Sequence, residues 1–374
     1  MRKKLLVATD SFLPRWDGIS RFLKEILPSL TDDYEVTVLA PKYPGRRYEF
    51  PRVKVVTFPL MNMHIGDYTP PRPELKLIKK HVKEADVVWG QTIGPIGAEA
   101  MFYARKYRKP LLAYIHSVEW ELFSRSLKHF RKSTEFVVKR MAKWLYNRCD
   151  LLLVPSENTM DLLTNRGIKS KKMIIELGVD VKRFSPVEDK KEAKKKVGLK
   201  PDKIIIGYLG RFGREKDLKT LYQAFKSLQN EFDNIELLLV GGDRESLQEF
   251  IDSFDGINVV GSVEDPEHYY RAMDIYVLPS LTETTSLTTL EAMSTGVPVV
   301  CTSVGHIPNY ILHRLNGYFF PTQNVTRLVL ALKMLIKDEK LRERIGKKGR
   351  KTVVDAYSWE DTVEEISVAL ARFT

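Results

Sequence analysis

Short runs rich in β-branched residues, spaced by segments with helical apolar periodicity, constrain this chain more than any other feature. In the first half the runs are "KKLLVATD", "YEVTVLAP", "VKVVTFP", "ADVVWGQ", "PLLAYIH" and "LLLVPS". In the second they are "KIIIGYLG", "IELLLVGG", "INVVGSV", "IYVLPS" and "PVVCTS". Segments such as "LKTLYQAFKSL" lie between them, with apolar residues recurring at helical spacing. Strands separated by helices do not close as hairpins; they feed crossover connections and line up in parallel. The expected fold is α/β, two tandem Rossmann-like, doubly wound parallel-sheet domains. At 374 residues the chain is long enough for two cores of this kind.

The join is expected near "GVDVKRFSPVEDKKEAKKKVGL", where Pro186 precedes a charged stretch poor in apolar residues. This gives domains over 1–185 and 186–355. The last segment, "YSWEDTVEEISVALARF", reads as an amphipathic helix with Ser358 or Asp361 near its cap, and 356–374 is expected to cross back to the first domain. The run "KKEAKKK" reads as a solvated helix face.

Composition narrows the function classes. With 43% hydrophobic and 29% charged residues the chain is globular, and its apolar runs fall far short of the roughly 20 residues needed to span a bilayer. The opening "MRKKLLVATDSF" has too short an apolar segment for a secretory signal and reads as a first strand, so the expected location is cytoplasmic. Cys149 and Cys301 lie far apart without metal-type spacing, which predicts two thiols rather than a disulfide or zinc site. The net charge of +12 favours nucleic acid, anionic lipid or phosphorylated substrates as partners. No helix-turn-helix, RNA-recognition or zinc pattern accompanies it, so nucleic acid is not expected.

Chemistry concentrates in "PSLTETTSLTTLEAMSTGVPVV", residues 279 to 300. Helical spacing over "LTTLEAMST" stops at Gly296, and the preceding polar loop sits at a strand-to-helix turn, where α/β sheets bind ligands. Free amides near Ser286, Leu287 and Thr288 would face an anion such as phosphate. Glu283 would lie at the mouth of that pocket. Glu291, one turn inside the helix, has a carboxylate suited to paired hydroxyls such as a ribose diol. A second such loop, "YLGRFGREKDLKTL", carries Gly210, Gly213, Arg211 and Lys216. Its glycines let the backbone approach a phosphate, and two fixed cations neutralise a diphosphate leaving group. No Asp-x-Asp pair occurs, so no metal ligand set is expected.

The order "LLLVPSENTMDLL", "LGVDVKRFSP", "GRFGREKD", "LLLVGGD", "VVGSVEDPEHYYRAMDIYVLPSLTETTSLTTLEAMSTGVPVV" and "NGYFF" resembles the retaining family 4 glycosyltransferases of the two-Rossmann GT-B type. The resemblance implies a nucleotide-diphosphate sugar (a UDP-, GDP- or ADP-sugar) bound in an interdomain cleft, without a further cofactor. Arg211 and Lys216 would bind its diphosphate and stabilise the charge that grows as the glycosidic bond breaks. Glu291 would hold the ribose, Glu283 a donor-sugar hydroxyl, and the amides at Ser286, Leu287 and Thr288 the phosphate or sugar. "DSFLPRWDGISRFLKEIL" matches the family's glycine-bearing first loop through Gly18, and His116 matches its active-site histidine beside the donor sugar. Retention implies attack from the face the nucleotide leaves, with a donor phosphate oxygen taking the acceptor's proton. Two departures stand out. Asp17 precedes Gly18 where many relatives carry a second glycine, and "ETTSL" replaces the common Glu-Gly-Phe-Gly-Leu.

Residues 121 to 148 hold eight Lys or Arg against two Glu, interleaved with Phe123, Phe130, Phe136, Trp144 and Leu145. This pattern fits peripheral docking on the anionic inner face of a membrane and delivery of a lipid acceptor; it also fits a helix packed on the sheet with solvated cations. Two other function classes remain at this stage. A nucleotide-sugar epimerase of the same architecture would need acid/base carboxylates and histidines that the motifs do not suggest. A basic nucleic-acid-binding protein would account for the charge.

Overall fold

The computed structural model describes residues 2–15, 17–45, 48–64, 68–120, 131–242, 245–248, 251 and 254–373. The chain divides into two compact units, Met1–Glu176 with Val363–Thr374, and Leu177–Thr362.

The first unit is built on β1 (Lys3–Ala8), β2 (Tyr34–Pro41), β3 (Val53–Phe58), β4 (Val87–Gly90), β5 (Leu111–Tyr114), β6 (Leu151–Val154) and β7 (Lys172–Ile174). The second carries β8 (Ile204–Leu209), β9 (Ile235–Val240), β10 (Ile257–Val260), β11 (Ile275–Leu278), β12 (Val299–Thr302) and β13 (Tyr318–Phe320). All the recorded strand pairs are parallel, in the orders β3-β2-β1-β4-β5-β6-β7 and β10-β9-β8-β11-β12-β13. The two doubly wound parallel sheets expected from the sequence are therefore present. The sequence reading missed β7 and β13, three-residue edge strands too short to show a pattern of their own.

Parallel sheets are covered on both faces, which is why their central strands are uniformly apolar. Every residue of β4, β5, β6, β9, β11 and β12 is buried. Each unit has its own core: Leu6, Val88, Ala113 and Leu152 with Ile78 and Ala100 in the first, and Ile206, Leu238, Val277 and Val300 with Phe225 and Leu332 in the second. The one acid in β9, Glu236, is held by Asn258 Nδ2 at 3.1 Å and Lys200 Nζ at 3.4 Å. Cys149 and Cys301 are buried free thiols, and burial pushes both up in pKa.

"KKEAKKK" forms the helix Lys190–Lys196. Its face is not wholly solvated, because Lys194 is buried and pairs with Asp274 at 2.7 Å. The final helix, Trp359–Ala371, is capped by Ser358, whose Oγ accepts from the Asp361 amide. Val363 onward belongs to the first unit.

Each sheet has a point where the strand order reverses, between β1 and β4 and between β8 and β11. Loops leaving the carboxyl ends of those strands diverge and open a crevice there. The residues that fill these loops are 9–17 and 91–94 in the first unit, and 210–217 and 279–286 in the second.

Candidate active site

In the second unit the two reversal-point loops are tied backbone to backbone, with the Leu281 amide donating to the Glu215 carbonyl at 2.8 Å. That bond brings the expected cation and the first expected glutamate together. Lys216 Nζ donates to Glu283 Oε1 at 2.5 Å, and Ser280 Oγ donates to the same oxygen at 2.7 Å. The pair is mostly enclosed, with side-chain exposures of 18% and 11%. Arg211 is more open, and its Nη2 donates to Glu215 Oε1 at 3.0 Å. Glu215, unassigned from the sequence, thus orients Arg211 with its side chain and joins the loops with its backbone.

Glycine is required where these loops cross. Gly210 sits at φ +151, and a Cβ there would meet the Tyr208 hydroxyl at 2.8 Å. Gly305, at φ +59, lies so close to the glutamate loop that a Cβ would stand 2.1 Å from the Glu283 carbonyl oxygen. The adjacent His306 amide donates to the Thr284 carbonyl at 2.7 Å, and Tyr310 Oη donates to the Thr285 carbonyl at 2.7 Å.

The helix after this loop, Leu287–Ser294, begins at Ser286, which adopts the left-handed conformation at φ 60, ψ 76. This is the second glycine position of the common family pattern, so the departure at "ETTSL" retains a glycine-like backbone at a cost of roughly 1 kcal/mol. Ser286 Oγ lies 2.8 Å from Thr289 Oγ1, and Tyr276 Oη donates to Thr288 Oγ1 at 2.9 Å. The Thr289 and Leu290 amides donate back to the Ser286 carbonyl. Among the described residues no carbonyl accepts from the amides of Ser286, Leu287 or Thr288, the arrangement that receives an anion at a helix start.

Glu291 is placed differently from Glu283. It is 1% exposed, and its Oε2 accepts from Tyr270 Oη at 2.8 Å. Tyr270 packs in turn against Phe184 and Tyr276. The two glutamates have different partners, Glu283 the cation and Glu291 the tyrosine beneath the helix.

In the first unit Gly18 opens the helix Gly18–Leu30, exposed, with no atom within 4 Å of where a Cβ would stand. Asp17 is its cap: Oδ1 accepts from the Ile19 amide at 3.1 Å and the Ser20 amide at 3.0 Å, while Oδ2 accepts from Ser11 Oγ and from Arg15 Nε. The residue standing in place of a second glycine therefore spends its carboxylate on helix-start amides. Asp10, at the end of β1, accepts from Thr92 Oγ1 at 2.6 Å and from the Ile96 and Gly97 amides at 2.7 and 3.0 Å, tying the β1 loop to the helix after β4. Its burial raises its pKa.

His116 follows β5, where its Nε2 lies 2.8 Å from Gln91 Oε1. Phe22 and Tyr114 enclose the ring, and burial lowers its pKa to about 3, so the imidazole is neutral in the physiological range. Gln91 reaches His116 without having been singled out, whereas Asp17, singled out as a departure from the family pattern, serves as a helix cap. For Gln91 the available signal was position, since it directly follows β4 at the reversal point.

Family models match both units: Glycosyltransferase Family 4 over residues 16–183, and Glycosyl transferases group 1 over residues 189–352. The chain belongs to the family 4, group 1 glycosyltransferases. The glycosyltransferase is 25% identical over 252 residues to the capsular polysaccharide biosynthesis glycosyltransferase CapM of Staphylococcus aureus, covering 64% of this chain and 66% of that one. It is 23% identical over 328 residues to the alpha-monoglucosyldiacylglycerol synthase of Streptococcus pneumoniae, covering 83% and 74%. Among solved structures, Anabaena HepE in complex with UDP-glucose superposes with a TM-score of 0.80 at 18% identity, over 99% of both chains. The fold of the glycosyltransferase is GT-B.

Proposed function

We propose that the enzyme transfers a hexose from a nucleotide-diphosphate sugar to an acceptor hydroxyl with retention and without a metal ion. One observation carries the reading: the enclosed Lys216–Glu283 pair beside Arg211 and beside the helix start at Ser286, Leu287 and Thr288. Fixed cations and oriented amides are what a departing diphosphate needs, and a carboxylate at the same point suits a sugar hydroxyl. Arg211 and Lys216 take the diphosphate, with Gly210 allowing its close approach. Glu291, anchored by Tyr270, takes the ribose diol. Gly18 and His116 serve the reaction from the first unit.

In the proposed step the bond from the anomeric carbon to the phosphate oxygen breaks and the acceptor oxygen bonds the same face of that carbon. The acceptor's proton passes to the leaving phosphate. The transition state gains negative charge on the diphosphate, and the cations stabilise that change more than they stabilise the bound donor. Mixing the enzyme with candidate donors and following nucleoside diphosphate release, with the product anomer read by NMR, tests this. An inverted product, or release that requires a divalent ion, would overturn it.

A membrane-lipid acceptor is supported by the helix Arg131–Tyr146. Ala142, Leu145 and Tyr146 face the core, whereas Phe136 and Val137 are each 63% exposed, with Met141 and Trp144 also outward. Trp144 stacks on the exposed Phe102 at 6.0 Å, and the Arg148 guanidinium lies 3.7 Å from the Trp144 ring centre. Outward aromatics interleaved with cations suit the headgroup boundary of an anionic bilayer. Residues 121–130 of the basic segment lie outside those described. Among the described residues no helix is long and apolar enough to cross a membrane. The pneumococcal relative's name specifies a glycolipid product.

A further inference from the structure

We propose that Gln91 is a positioning residue that holds His116 as an imidazole protonated on Nε2, leaving Nδ1 as the hydrogen-bond acceptor. The inference rests on the reading above that His116 serves the reaction.

Gln91 is well placed for this task. It follows β4 directly, its amide donates to the Ala8 carbonyl at 2.9 Å, and it is 1% exposed, so its side chain is fixed at the reversal point between β1 and β4. Its Oε1 lies 2.8 Å from His116 Nε2. A carboxamide oxygen only accepts, so the nitrogen facing it must carry the proton, and a neutral ring then presents an unprotonated Nδ1. The ring cannot easily turn away. Phe22 lies edge-on at 4.9 Å between centroids and Tyr114 at 4.7 Å, and Tyr114 is itself held by its hydroxyl on the Ile175 carbonyl at 2.8 Å.

The Gln91 Nε2 atom is buried without a hydrogen-bond partner among the described residues. An unpaired buried donor costs about 1–3 kcal/mol, and the contact of Oε1 with His116 is what the Gln91 carboxamide offers against that cost. A neutral ring also suits the site. Burial opposes a charge on His116, and Asp17, the charged group that bears on it, is too weak an influence to reverse that. Phe22, Tyr114 and Gln91, which contact the ring, carry no charge. The consequence is a division of labour: His116 takes a hydrogen bond from a substrate hydroxyl, and the charge on the leaving diphosphate is met elsewhere.

The test is the ring tautomer, read from imidazole ¹⁵N shifts of the full chain labelled at histidine, with His116→Asn assigning the signal. The expected result is one neutral species with the proton on Nε2, unchanged between pH 5 and pH 8. Gln91→Met, close in size but without an acceptor, should mix the tautomers and lower kcat about tenfold, the effect of one lost hydrogen bond. Gln91→Glu should keep the Nε2 proton and raise the imidazole pKa, so that the acid limb of the pH–rate profile moves to higher pH. A wild-type signal with the proton on Nδ1 would overturn the proposal, because the carboxamide would then face the ring through its NH₂. So would a Gln91→Met chain with unaltered tautomer and pH profile. Full activity in His116→Asn would instead sink the role of His116, while the tautomer measurement would still decide what Gln91 does.

Discussion

Replacing Lys216 by alanine and Glu283 by glutamine, singly and together, probes the candidate site through its tightest contact. The wild-type pair is joined at 2.5 Å, and both side chains are largely enclosed, so screening by water is limited. In Lys216→Ala the carboxylate keeps only the Ser280 hydroxyl among its recorded partners, and the diphosphate loses a cation. Removing one preorganised charge-stabilising group typically lowers kcat about 10²–10³-fold, so this is the expected loss. Glu283→Gln retains an oxygen for Ser280 but releases Lys216 from its anchor, and a fall of about 10-fold or more is expected from one charge-assisted hydrogen bond. Because the two groups act on each other, the double variant should be little worse than Lys216→Ala. The coupling should then equal the Glu283→Gln effect, about 1.4 kcal/mol or more in activation free energy. The assay is nucleoside diphosphate release under kcat/KM conditions, with circular dichroism as a control for folding. Losses that simply multiply in the double variant would refute the idea that lysine and glutamate form one functional unit.

Three further outcomes follow from particular contacts. Gly305→Ala places a methyl group 2.1 Å from the Glu283 carbonyl oxygen at a positive φ, and should cost at least about 2 kcal/mol in urea unfolding, a cost of backbone strain plus overpacking. Glu119, whose burial pushes its pKa up to about 7, binds a proton more readily folded than unfolded. Its stabilisation is full below about pH 4.5 and is lost as pH rises to 7, so Glu119→Gln should gain up to about 3 kcal/mol of stability at pH 8 and little at pH 4. Phe136→Ser with Trp144→Ser should weaken binding to anionic vesicles by about 10-fold or more, as expected from two large side chains that no longer enter the bilayer boundary; vesicle flotation reads this, and equal binding by both chains would count against membrane docking.

Much of the architecture was legible because a parallel sheet imposes a coarse pattern. Buried strands such as "IELLLV" stay apolar on both faces, and the helices between them keep their own period. Where an element is three residues long, as in β7 and β13, no period exists to read. At the candidate site, the sequence singled out Lys216, Glu283 and the helix start at Ser286 because they lie in strand-to-helix loops, where α/β sheets bind ligands. It did not reveal partners set by distant segments. The bond from Leu281 to Glu215 that joins the loops, the burial of Glu291 against Tyr270, and the contact of Gln91 with His116 all link residues far apart in the chain. The substitution of Asp17 for a glycine looked like a departure in a phosphate loop; the structure makes it a helix cap.

The central claim is that fixed charge and oriented amides of the second unit bind an activated sugar on their own. Calorimetric titration of the protein with UDP-glucose, GDP-mannose and ADP-glucose, in the presence of EDTA, tests it directly. The account predicts saturable one-to-one binding of at least one of them, weakened about 100-fold when Arg211 and Lys216 are both alanine, as expected for two lost charge-assisted contacts. Heat from none of the three, or binding that returns only when magnesium or manganese replaces the chelator, would contradict it.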